Sequence, residues 1–267
     1  MAETLEVTIE DRIARIVFNH PESFNSMSIE VIHGMARHFQ ALAVNASVQA
    51  LVITGAGKAF SSGADLKSVA HDQRPPSEIL YSMASVLHQS VIELRRMRKP
   101  VIAAINGIAA GAGFSLALAC DFRVMAKSAV LRQAYTSWGL CIDGGGTFML
   151  PRLVGLARAL EIAAFDPPIT SDMALQWGLV NKVVEDGQAL EAALAMAREL
   201  ADRSLHSFGR VKELLTNSLS TPLEVQLENE RMAIHSCIVH PDGIEGIMAF
   251  ATKRKPVYNR NVGSQAG

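Results

Sequence analysis

Three short aliphatic runs constrain this chain more than anything else in it: LVITG at 51–55, VIAAI at 101–105 and DFRVMA at 121–126. Each is too short for a stable helix, and the first two are wholly apolar up to their last residue or two. Such runs read as buried core strands. Helical patterns separate them. Ser28 is placed to cap a helix that runs to about Val44. Another spans Ile79 to Met97 and ends in the basic group Arg95, Arg96, Arg98 and Lys99, which suits a helix C-terminus, and Pro100 stops it. LEVTIE and IARIVF, joined by Asp11 and Arg12, read as two strands at the start of the chain. Residues 55–65, 71–77 and 139–146 read as loops. Helices are expected at 146–164, 171–177 and 187–202, and in pieces over 204–252, broken at Pro222 and at Pro241. The polar tail after Tyr258 is expected to fray. Strands thus alternate with helices to about residue 184 and helices follow, which is an α/β core with an α-helical C-terminal segment.

Composition narrows the function. A net charge of −1, no long basic run and 6% aromatic residues argue against nucleic-acid binding. With 49% hydrophobic and 19% charged residues, the chain suits one large folded unit. Its most apolar stretch, Val101 to Cys120, is interrupted by Asn106, Gly107, Gly111 and Gly113, so no membrane span is expected. The N-terminus lacks a basic segment followed by an apolar run, and Cys120, Cys141 and Cys237 show no paired spacing. A cytoplasmic location with reduced, core-packed thiols is the resulting expectation. TGAGK does not have the spacing of a phosphate loop.

Two glycine-rich stretches remain without obvious chemistry: FSSGADL at 60–66 and GIAAGAGFSLALACD at 107–121. Both lie within longer segments, GAGKAFSSGADLK (55–67) and KPVIAAINGIAAGAGFSLALACD (99–121). GLCIDGGGTFMLPRLVG (139–155), ALQWGLVNKVV (174–184) and EGIMAFATKRKP (245–256) follow. In this order and spacing they resemble the crotonase superfamily, the enoyl-CoA hydratase/isomerase family, over nearly the whole chain. The resemblance implies a spiral of ββα units over residues 1–200 and a helical trimerisation segment over 201–267. It also implies a homotrimer or dimer of trimers, and an acyl-CoA thioester as substrate. CoA would be part of the substrate, with no separate cofactor and no metal.

Chemistry beside a thioester carbonyl passes through an enolate, and two main-chain N–H groups in a dry pocket stabilise that oxygen anion well. By resemblance the donors are Ala64 and Ala112. Ala64, Asp65, Leu66 and Lys67 would lie against the CoA nucleotide, and Phe250 and Lys253 would reach a neighbouring subunit's CoA. Hydratases of the family use two glutamates, and here those positions carry Ser115 and Tyr135. Neither is a ready base near neutral pH, so they are expected to line the substrate. The only acidic residue between Phe122 and Leu160 is Asp143, in the slot that several family isomerases fill with aspartate. One carboxylate suffices to move a proton along a conjugated system. An isomerase using Asp143 is therefore expected. A hydratase with atypical acid/base residues and a non-catalytic acyl-CoA-binding homologue are the alternatives. A helix N-cap is the competing structural role for Asp143. Trp138 and Phe148 are expected in the core or the pocket wall.

Overall fold

The three aliphatic runs form the middle of a six-stranded sheet. In the computed structural model, which describes residues 4–259, β1 (Leu5–Glu10) and β2 (Ile13–Phe18) make an antiparallel hairpin. It turns at Asp11 and Arg12, both at positive φ, as a two-residue hairpin turn requires. Then β3 (Ala50–Gly55), β5 (Val101–Ile105), β7 (Phe122–Ala126) and β10 (Lys182–Val184) add in parallel, in the order β1-β2-β3-β5-β7-β10. Every residue of β3 and β5 is buried, because both faces are covered. One face packs on the main core. The other meets α7 (Ala189–Ala201), whose Ala193 and Ala197 press against Ile13, Ala50, Val52, Ile102, Ala104 and Val124.

Each long parallel strand is followed by a short one in a second sheet. β4 (Ala59–Ser61), β6 (Ile108–Ala110) and β8 (Val130–Arg132) are parallel, and β9 (Ile169–Thr170) closes the edge antiparallel to β8. A helix follows each short strand: α2 (Leu66–His71) and α3 (Pro76–Arg96), then α4 (Ala112–Ala119), then α5 (Gly146–Phe165). This is the expected spiral of ββα units. It also corrects the sequence reading in two places. The loop expected at 55–65 contains β4, and α3 starts at Pro76 inside the loop expected at 71–77. None of the described helices is long and apolar enough to cross a membrane.

α1 (Ile29–Val44) starts where its cap predicts, with the Ser28 hydroxyl accepting from the Val31 N–H. α8 (Leu205–Asn217), α9 (Leu223–Val239) and α10 (Pro241–Ala251) make up the C-terminal helices, after the short α6 (Ser171–Gln176). Of the three thiols, only Cys120 is buried, which pushes its pKa up to about 12; Cys141 is exposed and Cys237 half-buried, so the expectation of three core thiols fails. Trp138 and Phe148 are likewise exposed in this chain (72% and 40%). Hydrophobicity alone does not say which apolar side chains a single chain covers. The expected fraying concerns mainly residues 260–267, which lie outside the described residues.

Asp121 ties the C-terminal helices to the sheet. Its Oδ2 accepts from the Val101 N–H (3.0 Å) and from the Lys212 Nζ of α8 (2.7 Å), and its Oδ1 accepts from Arg95 of α3 (3.2 Å). The Lys212 Nζ also donates to the Leu94 carbonyl at 2.8 Å. Lys212→Met leaves Asp121 with Arg95 and the Val101 N–H but cuts the tie to α8 and the Lys212 bond to the Leu94 carbonyl, so it should destabilise the fold by about 2 kcal/mol. Urea unfolding measures it, and a change under about 1 kcal/mol would show that this pair does not anchor α8.

Candidate active site

Ala64 and Ala112 lie on two backbone segments that touch. Met27 donates to the Gly63 carbonyl (2.7 Å) and accepts from the Asp65 N–H (3.1 Å), as a parallel bridge. That pattern uses the groups on either side of Ala64 and turns the Ala64 N–H the other way. Ala112 is the first residue of α4, where a helix leaves its N–H groups unpaired. Among the described residues neither N–H has a hydrogen-bond acceptor. Gly111, ahead of it, takes φ 53° and ψ −127°, a conformation for glycine alone. Gly63, at φ 92°, faces it so closely that a Cβ there would be 2.9 Å from both the Ala110 carbonyl oxygen and the Ala112 nitrogen. A Cβ on Gly113 would fall 2.4 Å from the Ser61 carbonyl oxygen. The glycines of both stretches are thus spent on backbone-to-backbone approach, and α4, buried along its whole length, holds the second donor rigidly.

Asp65 caps α2, accepting from the Ser68 N–H at 3.1 Å. Leu66 and Lys67 follow on the exposed first turn of α2, next to Ala64 in the chain.

Ser115, Tyr135 and Asp143 come together. The Tyr135 hydroxyl donates to the Asp143 Oδ1 at 2.7 Å and lies 3.2 Å from the Ser115 Oγ. Ser115 is fully buried, with Gly144 and Gly146 packed over it; a Cβ on Gly146 would stand 2.7 Å from its Oγ. Burial first, and then the Asp143 charge, push the Tyr135 pKa up, so the phenol stays protonated. A network fixes its backbone. The Gln133 Oε1 accepts the Tyr135 N–H (3.0 Å), and Asp166 accepts from the Ala134 N–H (2.9 Å), from Arg132 and from the Ser137 hydroxyl.

Asp143 does not cap α5. That helix begins at Gly146 with Gly145 as its cap residue, and the Asp143 carbonyl merely accepts from the Gly146 N–H (2.9 Å). The carboxylate is left for other work. Sequence reasoning missed one neighbour, His88 of α3, whose Nε2 accepts from the Gly144 N–H at 3.3 Å. No spacing signal links residues 88 and 144; only the packing of α3 on the glycine loop does. Phe250 and Lys253 are exposed, and no other described residue gives them a role in this chain.

The residues therefore supply two free main-chain donors held a fixed distance apart and one carboxylate beside a protonated phenol. The family model described as enoyl-CoA hydratase/isomerase matches residues 8–261. The chain belongs to the enoyl-CoA hydratase/isomerase family. It is 34% identical to 1,2-epoxyphenylacetyl-CoA isomerase of Escherichia coli K12, over 97% of this chain and 99% of that protein. It is 33% identical to 4-chlorobenzoyl coenzyme A dehalogenase-2 of an Arthrobacter species, over 93% of this chain and 91% of that protein. The crystal structure of an enoyl-CoA hydratase from Polaromonas sp. JS666 matches with a TM-score of 0.90 at 37% identity, covering 95% of this chain and 99% of that one. As a member of this family the chain is an enzyme of acyl-CoA chemistry, and relatives named for isomerisation, dehalogenation and hydration share its fold.

Because Gly63 sets the spacing of the two donors, Gly63→Ala should lower turnover of an acyl-CoA by about 100-fold, the cost of losing one such donor. Steady-state kinetics on the folded variant measure it. Activity within about threefold of wild type would show that the approach of the two segments is not what the reaction uses.

Proposed function

We propose that the protein isomerises an unsaturated acyl-CoA. The Asp143 carboxylate takes a proton from the α- or γ-carbon. The electrons of that C–H bond move into the conjugated system and onto the thioester oxygen, where the N–H groups of Ala64 and Ala112 hold the enolate. The proton then returns from Asp143 to a different carbon, and the double bond has moved. No water and no second base enter the balance. Ala64, Asp65, Leu66 and Lys67 would lie along the CoA nucleotide.

One observation carries this reading. The two positions where the family's hydratases hold glutamates carry hydroxyls bound to each other, and the carboxylate nearby is Asp143, bound to one of them. Hydration would need a water activated and a proton delivered by groups that are here a buried serine and a phenol that stays protonated. The 1,2-epoxyphenylacetyl-CoA isomerase relative adds support.

A second reading rests on the relatives named 4-chlorobenzoyl coenzyme A dehalogenase: dehalogenation of an aromatic acyl-CoA, with its carbonyl held by the same two N–H groups. Halide release from 4-chlorobenzoyl-CoA tests it.

We also infer a trimer or dimer of trimers with the segment 201–267 at the contacts. α9 buries none of its residues within the chain. Leu215, Leu219, Leu223, Ile234, Ile247 and Phe250 are all more than half exposed, an apolar surface that association would cover. Sedimentation should give a mass near three or six times 28.8 kDa; a monomer would refute this arrangement.

For the reaction itself, Asp143→Ala should lower conversion of a β,γ-unsaturated hexenoyl-CoA to its conjugated isomer by about 10³-fold or more. Acyl-CoA affinity, measured by calorimetry, should stay within a few-fold. Unchanged turnover would remove Asp143 from the mechanism, and rapid hydration of crotonyl-CoA by the wild type would replace isomerisation with hydration.

A further inference from the structure

The contact between Tyr135 and Asp143 has a direction. A phenol carries one hydrogen. Here it goes to the Asp143 Oδ1, so the hydrogen between Tyr135 and Ser115 must come from the serine. The chain therefore runs Ser115 to Tyr135 to Asp143, each hydroxyl polarising the next toward the carboxylate. It is buried at Ser115 and Tyr135, with exposures of 0% and 8%. Among the described residues nothing donates to the Asp143 Oδ2.

We propose that Tyr135 is a positioning residue: its hydroxyl holds the Oδ1 of Asp143 and leaves Oδ2 as the single oxygen that takes and returns the substrate proton. This rests on the reading of Asp143 as the proton carrier. A charge-assisted hydrogen bond of 2.7 Å fixes the carboxylate plane. Burial and the neighbouring carboxylate both keep Tyr135 a donor, so it does not compete for the substrate proton. The loop that carries Tyr135 is held by Gln133 and Asp166, and the loop that carries Asp143 by the packing of Gly144 and Gly146 on Ser115. Both ends of the contact are thus anchored by separate elements. His88 of α3 also faces this turn, where it meets the Gly144 N–H.

Without the Tyr135 hydroxyl the carboxylate is free to turn, so Oδ2 is presented to the substrate carbon less often while substrate binding is untouched. The probe is exchange of the α-protons of butyryl-CoA in deuterated buffer, followed by NMR, which reports enolate formation directly. Tyr135→Phe should lower kcat for exchange about tenfold and leave KM within about twofold. A residue that only filled space would leave kcat in place, since the phenyl ring fills the same volume. Unchanged kcat in Tyr135→Phe, with Asp143→Ala inactive, would overturn the proposal and leave Asp143 as the proton carrier. Full exchange by Asp143→Ala, or none by the wild type, would instead overturn the reading beneath it. Should the stranded Ser115 hydroxyl prevent Tyr135→Phe from folding, the double variant Ser115→Ala/Tyr135→Phe removes both partners at lower cost, and the same split between kcat and KM decides.

Discussion

The backbone at Gly63 lies against the backbone at Gly111 and Ala112 with no room for a side chain between them. Everything in the site depends on this approach, because it sets how far apart two unpaired N–H groups stand. Main-chain donors are cheap to evolve and hard to misplace, provided their flanking groups are pinned. Met27 pins the first by bonding on both sides of Ala64, and the buried helix α4 pins the second. An oxyanion site built this way has little to reorganise when charge develops on the substrate.

The ββα spiral exists, from the site's point of view, to bring those segments together. β3 leads into β4 and then the Gly63 turn, while β5 leads into β6 and then Gly111. Parallel pairing of β3 with β5 and of β4 with β6 places the two turns side by side. The next unit, β7 and β8, repeats the path and delivers Tyr135 just past its short strand, with the Asp143 loop following before α5. The two proposed donors come from the first two turns and the proposed proton carrier from the third.

Much of this was legible in the sequence, for physical reasons that differ by residue. The buried strands announced themselves as unbroken apolar runs, the Ser28 cap as a hydroxyl before a periodic segment, and Asp143 as the lone acid across a long stretch. The glycines pointed to close backbone approach, but not to which backbone they approach; Gly63 against Ala112 is a contact across nearly fifty residues. The short strands β4, β6 and β8 were invisible because three residues carry no period of their own, and tertiary pairing alone makes them strands. Tyr135 and Ser115 were each visible as missing acids. Their bond to one another, and its direction toward Asp143, is a product of the fold. His88 left no trace in the sequence, since one exposed residue on an amphipathic helix looks like any other. Trp138 and Phe148 are outside the core, and Phe148 lines a cavity with Val91 and Met149, because an apolar side chain reports a need for cover and not the identity of the cover.

In the proposed reaction two main-chain donors and one carboxylate act on the same thioester. A crystal structure with a non-hydrolysable, enolate-like acyl-CoA analogue bound tests it most directly. The thioester-derived oxygen should lie about 3 Å from the nitrogens of both Ala64 and Ala112, with the Asp143 Oδ2 in contact with the α- or γ-carbon and the Oδ1 still held by Tyr135. An analogue whose oxygen faces neither N–H, or whose reacting carbons lie beyond reach of Asp143, would contradict the account.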